Sequence, residues 1–490
     1  VIKFDVFRVI KNEFVMQIVG RKSETELMNS YLIDEKSHLL AIIGRRRVGK
    51  TFLIREVYRE AKIFEMTGLK DADLDRQLTN FCIQMNTYFS TENYEKPDNW
   101  LLAFNQLTEA ITKATTNRKP VVFFDEIPWI ASKRSRFTEA LAHWWNNWAS
   151  QQNIVLVICG SAASWMLEHV VNAKGGLHNR ITKLITLLPF TLAETKTFLL
   201  SKQIEMSNYQ TVQLYMALGG IPHYLEQITK GKSAAQNIQE ICFSKDGILR
   251  NEFENLYSAL FDNAQNHIKI IKALASKSKG LERQEILEHT KMSDGGWFTG
   301  ILNELETSGF ITTYEPLEKK KKDTLFRLTD EYSLFYLTFI EGKSNPSSDY
   351  WMSMSQSQEY KIWCGYAFEN LCMKHSQNIK QALGISGVQT STNSFLHRKD
   401  SAYPKGFQID MLIDRKDDVI NICEMKFYAD TFNITADYAA KLRTKKEGFR
   451  TVSKSKKMIH LTFITSYGLF ENAYKSDLVD NDFTVDVLFE

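Results

Sequence analysis

Gly44-Arg45-Arg46-Arg47-Val48-Gly49-Lys50-Thr51 stands between the apolar run His38-Leu-Leu-Ala-Ile-Ile43 and the stretch Phe52-Leu-Ile-Arg-Glu-Val-Tyr58. This order reads as strand, tight loop and helix start, and it meets the pattern G-x-x-x-x-G-K-[ST] of a phosphate-binding loop at every required position. Glycine is needed where the backbone turns and brings its amides close to an anion. The following helix points its positive end at the same place. In this reading Lys50 reaches the β- and γ-phosphates, Thr51 ligates magnesium, and Gly44, Arg45, Arg46, Arg47, Val48, Gly49, Lys50, Thr51 and Phe52 form the nucleotide-contact set. The competing account is a glycine-rich turn that binds nothing.

Strands and helices alternate on either side of the loop, which implies a parallel sheet covered on both faces. Pro120-Val-Val-Phe-Phe-Asp125-Glu126 reads as a buried strand whose carboxylates emerge at the edge where open α/β sheets bind ligands. Asp125 fits a second magnesium anchor there, and Glu126 a base that orients or deprotonates water. The next strand, Asn153 to Cys159, ends in Gly160-Ser161, which makes Ser161 a candidate sensor of the γ-phosphate or its attacking water; a helix cap explains it equally well. Gly175-Gly-Leu-His-Asn-Arg180 precedes a strand from Lys183 to Leu188, and Arg180 could neutralise transition-state charge within the chain or across a subunit contact of a homo-oligomer. Val19-Gly20-Arg21 matches a short box that lies against adenine in many loop ATPases, though a helix-entry turn accounts for it too. Trp144, Trp145 and Trp148 lie at helical spacing and read as core.

The chain has 490 residues and 43% apolar composition, enough for several packed domains. No apolar run approaches the ~18 residues of a membrane span, and the N-terminal stretch lacks a signal pattern. Six cysteines are scattered without a C-x-x-C pair, which argues against a zinc site or disulfide framework and for a reducing, cytoplasmic setting. The net charge of +3 excludes little, but lysine and arginine crowd into Lys319 to Lys322 and Lys441 to Lys457.

Five segments are expected: an extension over 1–15, the loop-bearing core over 16–193, a helical lid over 194–265, a winged helix-turn-helix over 266–345 and a C-terminal α/β domain over 346–490. The winged module is read from three helices within 267–307 and the hairpin Gly309 to Tyr314 and Leu325 to Leu328, whose tip is Lys319 to Lys322. The third helix carries Glu304 and Glu306 and no base, which suits it poorly to lie against phosphates. DNA at the basic wing and a protein partner at this module both stay open. Asn345-Pro-Ser-Ser348 reads as a linker.

Beyond it, Gln358 to Lys374 reads as a helix carrying Glu369. Two strands, Gly406 to Ile413 and Val419 to Phe427, flank the turn Arg415 to Asp418. Alternation puts Glu424 and Lys426 on one face, with Asp410 opposite across the hairpin. Asp410 and Glu424 could bind magnesium while Lys426 steadies charge on a phosphodiester, as in the D-x(n)-E-x-K core of restriction-endonuclease-like nucleases, with Glu369 a further carboxylate. An inactive or purely structural hairpin is the alternative. The basic run after it would favour DNA.

Taken together, Gly44 to Thr51, Phe124-Asp-Glu-Ile127, Cys159-Gly-Ser-Ala-Ala-Ser-Trp165, Gly175 to Arg180, Gly219-Gly-Ile-Pro222, Asp410 and Glu424-Met-Lys426 resemble, in order, the archaeal-type P-loop ATPase family of the STAND/AAA-like group. The resemblance implies an ATPase core using ATP and magnesium, a helical lid, a winged helix and a C-terminal domain similar to the PD-(D/E)xK nuclease fold. It carries Lys50, Thr51, Asp125 and Glu126 over as nucleotide and magnesium residues, with Ser161 and Arg180 following. Two functions are expected from different classes: an ATP-hydrolysing, DNA-associated protein that gates a nuclease, and a nucleotide-dependent switch whose C-terminal domain only binds partners.

Overall fold

The computed structural model describes residues 18–490 except 115–117, 133, 173–175, 178, 262, 278, 315–323, 344–346, 348, 398–400, 402 and 404–405. The expected extension over 1–15, the lysine tip at 319–322, most of the linker at 345–348, and Gly175 and His178 lie outside the described residues.

Apolar runs build the first sheet. Strands β1 (His38–Ile43), β3 (Val121–Asp125) and β4 (Val155–Gly160) are buried at every position, as strands covered on both faces must be. With β2 (Lys62–Thr67) and β5 (Lys183–Thr186) they form a wholly parallel sheet of order β2-β3-β4-β1-β5. The expected strand to Leu188 stops at Thr186, because Leu187 and Leu188 turn beneath the loop at Gly44. One face is filled by an aromatic cluster in which Trp144 stacks on Phe104 and donates its indole N–H to Thr108 at 2.9 Å. Trp144 and Trp145 are core, as their spacing suggests.

The other face of the sheet opens into an apolar cluster that runs on through the helices Leu192–Ser201 and Asn208–Leu218 to the helix Gln358–Lys374. The first of these helices starts in a capping box, Thr191 with Glu194, which closes two orphan N–H groups. Phe190 donates its N–H to Gly220 O at 2.6 Å, and a Cβ on Gly220 would fall 1.9 Å from Phe190 O, so only glycine fits.

Three helices follow, Ala264–Ala275, Arg283–Thr290 and Gly296–Thr307, with a small antiparallel sheet. Its order is β6-β8-β7, where β7 is Ile311–Tyr314 and β8 is Leu325–Leu328. Strand β6 (Leu281–Glu282) is too short for alternation to reveal and was not anticipated.

The C-terminal part is a five-stranded mixed sheet of order β13-β12-β11-β10-β9, in which only the central hairpin was foreseen. Strand β10 (Phe407–Arg415) pairs antiparallel with both β9 (Thr390–His397) and β11 (Val419–Lys426). Strands β12 (Met458–Thr465) and β13 (Asn481–Thr484) extend it in parallel. The helix Ala436–Ser453 covers one face over its own apolar cluster, and Gln358–Lys374 covers the other. The chain then returns to the helix Asn208–Leu218, where Asn208 Nδ2 donates to Asp486 at 2.6 Å. No helix among the described residues is long and apolar enough to cross a membrane.

Candidate nucleotide site and C-terminal acidic cluster

The loop leaves β1 at Gly44, whose φ of 152° and closeness to Leu187 O, 2.3 Å from where a Cβ would stand, exclude any side chain. It enters the helix Lys50–Val57 through Gly49 at φ 91°. Lys50 is buried, and its ammonium donates to Gly44 O at 2.7 Å and Arg45 O at 3.1 Å, so it lies across the mouth of its own loop. Thr51 Oγ1 donates to Asp125 Oδ2 at 2.7 Å. These two oxygens, one from the helix that follows β1 and one from the C-terminal end of β3, are hard donors of the kind magnesium takes, and the residues fit that ion.

Glu126 follows β3 in a left-handed conformation, φ 50°, and its Oε2 accepts from both Ser161 N, at 3.0 Å, and Ser161 Oγ, at 2.9 Å. Burial pushes the Glu126 carboxyl up, with Lys50 opposing. Lys50, Thr51, Asp125, Glu126 and Ser161 therefore meet at one sheet edge. Arg180 does not join them: it is exposed in the turn closed by its N–H on Leu177 O, with no ion pair to the site among the described residues.

The three loop arginines diverge. Arg45 is buried and forms an ion pair with Asp330, its guanidinium 4.6 Å above the Phe310 ring. Arg47 pairs with Glu252 at 2.9 Å, and Arg46 is exposed. The side chains of Arg45 and Arg47 thus bind other parts of the chain. Val48 is buried and Phe52 is partly exposed on the helix. Arg21, of the Val19-Gly20-Arg21 box, is also buried. It donates to Leu188 O at 2.5 Å and Val48 O at 3.4 Å and lies over Phe190, which pins the box to the loop.

The second cluster sits on the C-terminal sheet. The register Met411 opposite Cys423 sets Asp410 beside Glu424. Glu424 is buried and accepts from Tyr438 OH at 2.8 Å, pairs with Lys445, and stands 3.6 Å from Lys426 Nζ. Burial alone would raise its carboxyl; Lys445 and Lys426 outweigh that and hold it below the usual range. Glu369, from the facing helix, is pushed up to about 7 by burial and by Asp410. It forms an ion pair with Arg327 of β8, at 3.4 Å. Asp410 accepts from Gln408 at 2.7 Å. Among the described residues no group of three or more His, Cys, Asp or Glu is arranged to hold a metal ion.

Tyr438, Lys445 and Arg327 were not foreseen as members of this cluster. Tyr438 and Lys445 lie seven apart, on one face of a helix, a spacing the sequence does display. Arg327 gave no signal, since its contact spans 42 residues between separate elements.

Residues 18–228 match the family described as an ATPase domain predominantly from Archaea. An uncharacterised protein of Methanocaldococcus jannaschii is 24% identical over 359 residues, covering 72% of this chain and 76% of that one. An uncharacterised ATP-binding protein of the same organism is 39% identical over 49 residues, 10% of this chain and 83% of that one. Among solved structures, the Walker-type ATPase of Pyrococcus abyssi is similar at 15% identity and a TM-score of 0.44, covering 65% of this chain and 96% of that one. The ORC2 protein of Aeropyrum pernix is similar at 14% identity and a TM-score of 0.39, covering 67% and 95%. The loop of Gly44 to Thr51 and the parallel sheet that carries it lie within the residues that match this ATPase domain family.

Proposed function

We propose that this protein hydrolyses ATP with magnesium and that its nucleotide state controls a DNA-associated, nuclease-like C-terminal domain. The observation that carries the ATPase reading is the convergence of Lys50, Thr51, Asp125 and Glu126 at one sheet edge. Lys50, freed from the Gly44 and Arg45 carbonyls, would take the terminal phosphates. Magnesium supplies charge neutralisation between the phosphates, and Thr51 and Asp125 would hold it. Glu126, raised by burial and oriented by Ser161, would accept the proton of the attacking water. Arg180, exposed as it is, would act only from a second copy of the chain.

Segment 266–345 has the three helices and hairpin of a winged helix, and its third helix supports a protein contact better than DNA. Glu304 is bound to His267 at 2.6 Å and Glu306 to Thr313 at 2.6 Å, while Trp297 is exposed. Asp410, Glu424 and Lys426 would form the nuclease centre, with Glu369 beside them.

The test is phosphate release from ATP with magnesium, together with cleavage of duplex and single-stranded DNA. Lys50→Ala is expected to stop the first, and Asp410→Ala or Lys426→Ala the second alone. Cleavage that survives both C-terminal substitutions would overturn the nuclease part. One observation favours the alternative, a nucleotide-dependent switch with an inactive C-terminal domain: Glu424 is already bound by Lys445, Tyr438 and Lys426. That reading expects phosphate release without cleavage in any metal.

A further inference from the structure

Five consecutive residues, Arg327-Leu328-Thr329-Asp330-Glu331, touch both sites in turn. Asp330 takes the buried ion pair from Arg45 of the phosphate loop and accepts from Ser333 N at 2.8 Å. Thr329 and Asp330 both donate their N–H groups to the backbone carbonyl of Phe310, at 3.0 and 3.1 Å, the residue whose ring lies under the Arg45 guanidinium. The other three residues hold one helix, Gln358–Lys374. Arg327 pairs with Glu369, Leu328 O accepts from Asn370 Nδ2 at 3.3 Å, and Glu331 pairs with Lys374 at 2.6 Å. Arg327 is buried, and its Nε has no hydrogen-bond partner among the described residues.

We infer that Arg327–Glu331 is a link through which phosphate occupancy of the Gly44–Thr51 loop sets the position of Glu369 beside Asp410. The loop meets the link at Arg45, whose side chain anchors Asp330 and whose carbonyl accepts from Lys50 Nζ at 3.1 Å. A phosphate competes for that ammonium and releases the carbonyl of the residue whose side chain holds Asp330. A ligand shifts a conformation only through such a differential contact. The stretch between Arg327 and Asp330 is short and buried, with its polar groups tied on both sides, so motion at Asp330 is carried to Arg327 rather than absorbed. Arg327 is a positioning residue in this scheme, acting through Glu369.

The inference rests on the proposed nucleotide site and does not require that the C-terminal cluster cut DNA. Coupling between sites is reciprocal in binding. Arg327→Met and Glu369→Gln, neither of which touches the loop, should therefore change the affinity of the full chain for a fluorescent ADP or ATP analogue with magnesium. The expected change is about 5-fold or more, with Arg327→Lys restoring part of it. Thermal melting verifies that each variant is folded. In wild type, saturating ATP should also alter hydrogen exchange across residues 358–374, and Asp330→Asn should abolish that response. Nucleotide affinity and exchange unchanged in folded variants would overturn the link. Wild type that binds no nucleotide would instead overturn the function on which it rests, and altered affinity without any DNA cleavage would sustain the link and remove only the nuclease.

Discussion

The Thr51 hydroxyl donates to the Asp125 carboxylate at 2.7 Å, joining the end of the phosphate loop to the tip of β3 across 74 positions of sequence. Both oxygens face the site where magnesium would sit, so loss of either weakens the same ion. Asp125→Asn should raise the magnesium concentration needed for ATP hydrolysis by about 10- to 100-fold, the range seen when a ligand's environment is altered. A magnesium titration of phosphate release checks this, and an unchanged requirement would remove Asp125 from the site.

Glu126 lies at the same sheet edge as Lys50 but would act on water rather than on phosphate. Glu126→Gln keeps the shape and the hydrogen bond from Ser161 but cannot accept a proton. Hydrolysis should fall by about 10²- to 10⁴-fold, while nucleotide still binds. Single-turnover phosphate release measured beside equilibrium binding separates the two.

Gly44→Ala would set a methyl group on Leu187 O at a backbone angle that side chains avoid. Relief needs movement of β1 or of the turn after β5, at a cost of about 1–3 kcal/mol. Chemical denaturation without nucleotide should show that loss, since it arises from the fold rather than from the ligand.

Asp330 balances a guanidinium that has no other anion on it among the described residues. Asp330→Ala strands Arg45 in the interior and should cost about 3–5 kcal/mol. The double change Arg45→Met with Asp330→Leu should recover much of it, because both charges then leave together. Melting curves of wild type and the two variants decide the matter, and a double variant no better than Asp330→Ala would show that the pair is not the source of the loss.

His375 accepts the Leu192 N–H at 3.3 Å through Nε2 and donates from Nδ1 to Leu371 O at 3.0 Å, so it is held as the neutral ring. Burial lowers it to about 4 from an ordinary value of 6.5. Between those values the unfolded chain takes up a proton that the folded chain refuses. Stability therefore falls as pH drops from about 6.5 towards 4, by at most about 1.4 kcal/mol per pH unit from this group. Unfolding at pH 7 and pH 5 should differ less in His375→Gln than in wild type.

Much of the architecture was legible because its signals are local. The loop pattern, the buried runs of β1, β3 and β4, the three short helices before the hairpin, and the alternation of Glu424 and Lys426 all lie within a few residues of each other. Periodicity and steric demand act at that range. Strands β6, β9, β12 and β13 were missed because short or mixed-polarity strands take their identity from neighbours, not from their own pattern. The contacts of the candidate sites divide in the same way. Residue types and spacing alone selected Lys50, Thr51, Asp125, Glu126, Asp410 and Glu424. Only the tertiary structure turned Arg45 away from the anion and onto Asp330, 285 positions on, brought Lys445 and Tyr438 to Glu424, and set Arg327 against Glu369. A charged side chain is directed by whichever counter-charge the fold brings within reach in a poorly solvated interior, and no window of sequence contains that partner.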